Sequence, residues 1–312
     1  MKDFKRPKIS VIGAGNVGAT AAHLIALKDL ADVALIDIAE GVPTGKALDI
    51  LQSNSVEASS VRSVGGTDYG LVENSQIVII TAGIPRKPGM SRDDLLKTNA
   101  DIVQSVTQQV AKKAPDSILI VVSNPLDAMC QVALKASGFP KERVMGMAGV
   151  LDTARYRAFL AEEIGVSPED IQALLLGGHG DTMVPLPRYT SLQGIPISQF
   201  VNEKRLNEIV ERAKAGGAEI VGYLKTGSAF YAPAAAAVEM AEAILKDQKK
   251  LRPVSAYLEG EFGYKGVYLG VPVILGAKGV EKIVEVDLDE KEKALLKNSY
   301  EAVKSLTEVL GL

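Results

Sequence analysis

The run Gly13-Ala14-Gly15-Asn16-Val17-Gly18 follows an apolar stretch at 9–12 directly and opens a segment of helical pattern. No other feature narrows the possible fold as much. Gly13 permits a tight turn out of a strand, Gly15 lets the backbone approach a pyrophosphate, and Gly18 allows a helix to pack closely on that strand. The phosphates of a dinucleotide then face the positive end of the helix dipole. Ala14, Asn16 and Val17 share this loop and are candidate cofactor-binding residues with the three glycines. A lone G-x-G-x-x-G is a weak signal, so the next strand has to agree with it. That strand ends in Leu35-Ile36-Asp37-Ile38, and Asp37 stands 19 residues beyond Gly18, where an acid would hold the ribose hydroxyls. A carboxylate there accepts hydrogen bonds from a 2′-hydroxyl and repels a 2′-phosphate, which selects NAD over NADP. Taken alone, Asp37 could equally cap a strand.

The rest of the first half supports this reading. Runs at 9–12, 33–38, 77–81, 118–123 and 144–147 are almost continuously apolar, as expected of strands buried on both faces. Between them, segments such as 93–110 repeat apolar residues at three- and four-residue steps. Strand–helix alternation of this kind predicts an α/β fold with a Rossmann-type, doubly wound parallel sheet. After about residue 150 the pattern changes. A helix is expected over 151–164, a strand over 171–176 running into Gly177-Gly178-His179-Gly180, helices over 203–224 and 231–246, strands at 254–258, 267–269 and 271–274, and a last helix over 290–310. The chain of 312 residues thus divides into an expected cofactor domain, 1–149, and a mixed α+β substrate domain, 150–312, with the site in the crevice between them.

Composition excludes several function classes. The net charge is -3, so no basic excess drives binding to nucleic acid or anionic membrane. No apolar run approaches the ~18 residues of a membrane span. The basic start, Met1 to Lys8, could pass for a signal peptide, but the glycines of 13–18 break its apolar stretch. With a single cysteine, Cys130, no intrachain disulfide can form, and a cytoplasmic location is expected. No metal site is expected.

Four further pieces carry chemistry. Of the two histidines, His23 lies within the first helix and reads as packed or solvated, whereas His179 sits among three glycines that open access to its ring. Asp152 and Arg155 stand three apart and share a helix face. The segment Thr81-Ala-Gly-Ile-Pro-Arg-Lys-Pro-Gly-Met-Ser-Arg92 leaves the C-terminal end of a strand, where open α/β sheets bind ligands, and places Arg86 and Arg92 as anion clamps on a lid. Val121-Val-Ser-Asn-Pro-Leu-Asp127 leaves another strand end, with Asn124 able to offer an amide to a carbonyl oxygen. Each piece also has a plainer reading, respectively a turn histidine, a surface ion pair, a solvated loop and an Asn-Pro turn.

Together, Gly13–Gly18, Thr81–Arg92, Ser123-Asn-Pro-Leu-Asp127, Leu151-Asp-Thr-Ala-Arg155 and Gly177-Gly-His-Gly-Asp181 make the sequence resemble the lactate/malate dehydrogenase family over nearly its whole length. The resemblance implies roles. His179 would be the general acid/base, and Asp152 would fix its tautomer and stabilise its imidazolium form. Arg155 would grip the substrate's C1 carboxylate with a bidentate fork. Arg92 would polarise the reacting carbonyl, and Asn124 would bond the substrate or the nicotinamide ribose. Asn99, Val122 and Ser123 match further cofactor contacts. Malate-type members carry Arg where lactate-type members typically carry Gln, and Arg86 occupies that position. The resemblance therefore implies NAD as cofactor, a small dicarboxylate as substrate, and a homodimer or homotetramer. The alternatives are a lactate or other 2-hydroxy-acid dehydrogenase and, from another class, an NAD-binding redox sensor without turnover.

Overall fold

A computed structural model describes residues 6–85 and 91–312; Arg86 lies outside the described residues. The first half runs β1 (Lys8–Ile12), α1 (Asn16–Leu27), β2 (Asp32–Ile36), α2 (Val42–Asn54), β3 (Ser63–Gly66), β4 (Ile77–Ile80), α3 (Arg92–Lys113), β5 (Ile118–Val121), α4 (Leu126–Ser137) and β6 (Val144–Gly146). Strands β1, β2, β4 and β5 are almost wholly buried, so their continuous Val/Ile/Leu runs meet apolar neighbours on both faces. The six strands pair in parallel in the order β3-β2-β1-β4-β5-β6. This is the doubly wound order that the sequence predicts, with its reversal between β1 and β4.

Helix α3 shows how local sequence places a candidate site residue. Ser91 caps it by accepting from the Asp94 N–H at 3.0 Å, and the Asp94 carboxylate accepts in return from the Ser91 N–H at 3.2 Å. Asp93 and Asp94 in the first turn and Lys112 and Lys113 in the last complement the helix dipole. The capping box thereby sets Arg92 at the first helical position.

The second half runs α5 (Gly149–Ile164), β7 (Ile171–Gln172), β8 (Leu175–Gly177), β9 (Met183–Pro185), β10 (Ser191–Leu192), β11 (Ile195–Pro196), α6 (Glu203–Leu224), α7 (Tyr231–Leu245), β12 (Lys250–Glu259), β13 (Lys265–Gly276), β14 (Gly279–Ile283) and α8 (Glu290–Val309). Its strands extend the parallel sheet: β12 pairs antiparallel with β6, and β13, β8 and β9 follow. One mixed sheet thus crosses both halves, and one apolar cluster runs from Ile9 and Val11 through Val254 and Val271 to Val303.

Three expectations are revised. The strand expected at 171–176 is two strands, β7 in a small sheet with β10 and β11, and β8 in the large one. The expected pair 267–269 and 271–274 is one strand, β13, continuous through Gly270. A side chain at 270 would overlap the Gly177 carbonyl, so this glycine is where the His179 corner docks on the sheet. The sequence reading also contains no counterpart of β3, whose Ser-Val-Gly-Gly has no apolar run. It is an edge strand with Val64 exposed, and Gly65 lets Pro43 of α2 close over it.

Candidate active site

The parallel strands deliver their C-terminal ends to one edge. Gly13–Gly18 follows β1, Asp37 follows β2, Thr81–Gly83 follows β4, and Val122–Asn124 follows β5. Hydrogen bonds stitch these loops together. The Thr81 hydroxyl reaches the carbonyls of Ile12 at 3.1 Å and Gly13 at 3.2 Å, and the Ser123 hydroxyl donates to the Ala82 carbonyl at 2.6 Å. Asn99 is buried on α3. Its amide nitrogen donates to the carbonyls of Asn124 at 2.7 Å and Ile84 at 3.2 Å, and its oxygen accepts from the Ile84 N–H at 2.8 Å. Asn99 and Ser123 therefore spend their side chains on the scaffold, while Val122 is half-buried and Asn124 exposed.

The glycine loop fits a dinucleotide. Gly13 has φ +108°, and a Cβ on Gly18 would overlap the Gly13 carbonyl, which explains both glycines by packing. Gly15 is different: nothing in the protein stands within 4 Å of where its Cβ would be, and it is exposed. The open space lies over the start of α1, which has no side-chain cap and no acid in its first turn. Those main-chain N–H groups remain available to phosphate oxygens. At the loop's edge, Asp37 accepts from the N–H groups of Ala14 at 2.6 Å and Ala39 at 3.0 Å, which holds its carboxylate beside the loop. Asn16 is exposed and Val17 half-buried.

In the second half of the chain, the ring of His179 is held by Asp152 of α5, with Nδ1 3.0 Å from Oδ2. Its main-chain N–H donates to Asp127 of α4 at 3.1 Å, and Ser255 of β12 donates to the other Asp127 oxygen at 2.6 Å. The preceding Gly178 N–H donates to the hydroxyl of Ser299 on α8. Burial works against the charged form of His179. The charge and hydrogen bond of Asp152, with the charge of Asp127, outweigh it despite Arg155, and the imidazole holds its proton above its ordinary value.

Arg155 lies one turn along α5 from Asp152, at 3.7 Å from Oδ1. Burial lowers its pKa, with only Asp152 opposing, and among the described residues its buried Nε has no hydrogen-bond partner. Gly216 and Gly217 of α6 make room for it: a Cβ at 216 would stand 3.0 Å from the Arg155 Cδ. Two glycines inside a helix cost about 1 kcal/mol each relative to Ala, and here they admit a guanidinium. A half-buried cation with donors to spare suits a carboxylate, which accepts bidentately.

The structure thus gathers Asp152, Arg155 and His179, which the sequence singled out, and stitches the strand-end loops that carry Asn124. Arg92 stands exposed at the start of α3, and His23 is exposed on α1. The sequence reading gave no role to Asp127, Ser255 or Ser299. Asp127 stood within a quoted motif, and an acid three residues past an Asn-Pro turn was the available signal; Ser255 and Ser299 offered none. Among the described residues, no group of three or more His, Cys, Asp or Glu side chains could hold a metal ion. No helix among them is long and apolar enough to cross a membrane.

Comparison with known proteins agrees with this geometry. Residues 7–146 match the family described as lactate/malate dehydrogenase, NAD binding domain, and residues 149–310 match its alpha/beta C-terminal domain. A malate dehydrogenase of Roseiflexus castenholzii is 57% identical over 300 residues, covering 96% of this chain and 97% of the relative. The 1.55 Å structure of malate dehydrogenase from Salinibacter ruber superposes with a TM-score of 0.94 at 55% identity, covering 97% of each chain. A lactate dehydrogenase of Cryptosporidium parvum, solved with lactic acid and nicotinamide adenine dinucleotide, gives a TM-score of 0.95 at 45% identity, covering 99% of each chain. Backbone shape is therefore shared by proteins named for two different substrates, and side chains must make the distinction.

Proposed function

The chain belongs to the lactate/malate dehydrogenase family, and from that premise we infer that it catalyses the NAD-dependent, reversible oxidation of (S)-malate to oxaloacetate. The observation that carries the chemistry is the His179–Asp152–Arg155 constellation, tied through Asp127 to the segment that carries Asn124. Hydride transfer to and from the substrate's C2 is the chemistry that bound NAD would supply. Arg155 grips the C1 carboxylate, which gives its under-used guanidinium a partner. His179, through its Nε2, takes the hydroxyl proton during oxidation and returns it during reduction. Asp152 on Nδ1 fixes the tautomer and balances the imidazolium. Asn124 and Arg92 orient and polarise the carbonyl, and Arg86 pairs with the second carboxylate. Gly13–Gly18, Asp37, Val122 and Asn124 hold the cofactor, while Asn99 and Ser123 serve it through the loops they tie together. Residues 1–149 form the cofactor domain and 150–312 the substrate domain.

The direct test is initial rates of NADH loss with oxaloacetate and with pyruvate; a preference for pyruvate would make this a lactate-type enzyme, and loss with neither would leave an NAD-binding sensor. The same assay carries a pH signature. Reduction needs protonated His179 and oxidation needs it neutral. Because Asp152 and Asp127 hold the imidazole's pKa above its ordinary value near 6.5, reduction should fall, and oxidation rise, as pH climbs through that raised value. Profiles that do not oppose one another would count against His179.

Cofactor choice is read separately. Asp37→Ser should narrow the ratio of NAD to NADP efficiency by roughly tenfold or more, since one lost ion–ion clash is worth over ~1.4 kcal/mol; an unchanged ratio removes Asp37 as the discriminator. The reading includes a soluble homodimer or homotetramer in the cytoplasm. Exposed Leu48 and Leu51 on α2, Val56 just beyond it, and Val221 and Leu224 on α6 supply apolar surface for a closed assembly, which light scattering would size. Cys130 is buried and free, in keeping with a reducing compartment.

A further inference from the structure

We propose that Asp127 is a positioning carboxylate that grips His179 from its main-chain side and sets the proton affinity of the ring together with Asp152. The inference rests on His179 being the proton acceptor. Asp127 is 5% exposed, in the first turn of α4, three residues past Asn124. Its two oxygens are both engaged by donors, the His179 N–H at 3.1 Å and the Ser255 hydroxyl at 2.6 Å. Each donor comes from the second half of the chain, so one side chain of α4 reaches across to both. Ser255 stands opposite Gly146 in the β12–β6 pairing. A Cβ on that glycine would lie 2.8 Å from the Ser255 Cβ and 2.6 Å from the Cys130 sulfur, so the glycine keeps the pocket of the carboxylate open.

What the carboxylate adds here is charge. Asparagine could keep the His179 N–H on its oxygen and turn its NH2 group to the Ser255 oxygen, which also accepts, but it would place no negative charge beside the histidine. Burial pushes the Asp127 carboxyl up, Ser255 and the His179 N–H pull it down, and Asp152 raises it. The groups facing the pair are Asp152 and Arg155 from α5, and the Cys130 thiol one turn along α4. With Asp152 on the ring and Asp127 on the backbone, His179 is held at two points by carboxylates from two helices. When the ring takes a proton, both charges favour the imidazolium. Because Asn124 and Asp127 lie on one short segment, the amide facing the substrate and the anchor of the proton acceptor move together.

The test uses the whole chain labelled with ¹⁵N-histidine. With only His23 and His179 present, the His179 ring signal is assigned by its loss in His179→Ala. In Asp127→Asn the His179 midpoint should fall by roughly 0.5–1 pH unit. Turnover of oxaloacetate at neutral pH should fall about tenfold, with its alkaline limb moved to lower pH, and NADH affinity should be unchanged. A folded Asp127→Asn protein whose His179 midpoint matches the parent's overturns the proposal, since a purely structural role would leave it there. If that variant does not fold, Ser255→Ala serves instead: it removes the hydroxyl that favours the ionised form of Asp127, so the His179 midpoint should move from the parent's, and a midpoint that does not move overturns the proposal equally. The midpoint is read without turnover. Its failure is therefore distinct from the failure of His179 as the base, which activity retained in His179→Ala would reveal.

Discussion

Exchanging Arg86 for glutamine should move the preference from oxaloacetate toward pyruvate by a factor of at least ~10³. The two substrates differ by one carboxylate. Enclosing that carboxylate without a cation costs several kcal/mol, so efficiency with oxaloacetate should collapse. Pyruvate leaves a guanidinium at 86 without an anion, so removing the guanidinium should leave pyruvate turnover level or higher. The argument is one of sequence position and charge, since Arg86 lies outside the described residues. Arg155 provides the contrast: it lies half-buried beside Gly216 and Gly217, and its proposed partner is the carboxylate common to both acids. Arg155→Gln should therefore depress both activities together. The measurement is kcat/KM for both keto acids in the parent and the two variants. Equal losses for the two acids on changing Arg86 would show a general cation and remove the reason for choosing malate over lactate.

His179→Ala should lower kcat by roughly 10²–10⁴ with NADH binding nearly unchanged. The cofactor-facing loops are held by Thr81, Ser123 and Asn99, none of which touches His179, so the substitution should spare them. Asp152→Asn should also cut kcat, because the imidazolium loses its counter-charge and the ring its preferred tautomer. His23→Ala, on the exposed face of α1, is the control and should be almost silent. Near-parental kcat in His179→Ala would falsify the assignment.

Much of this architecture could be read from local sequence, for physical reasons. The parallel strands announce themselves because burial on both faces demands unbroken apolar runs, and Gly13 and Gly18 because the turn out of β1 and the packing of α1 leave no space for side chains. Asp152 and Arg155 were legible as a pair because a helix brings residues three apart together. What escaped the reading depends on contacts between distant segments. Strand β3 is an edge strand of small residues, held by its neighbour β2 and by α2 above it. The break between β7 and β8 follows from two sheets competing for adjacent residues. Ser255 meets Asp127 across 128 positions of sequence, and Ser299 meets Gly178 across 121, distances at which periodicity carries no information.

The pairing of β6 with β12 has a consequence for how the molecule comes apart. Strand β6 hands the parallel sheet to its antiparallel continuation, and the apolar cluster beneath contains residues from both sides of position 150. A fragment ending near that position would expose the edge of β6 and remove Val254 and Val271 from the apolar cluster that also holds Ile9, Val11 and Met147. Bare edges and uncovered apolar surface invite association with other chains. With sheet and cluster shared across residue 150, the two halves are expected to melt as one cooperative unit. Calorimetry should see a single endotherm, and a cofactor half transplanted onto another scaffold would have to bring its neighbouring strands with it.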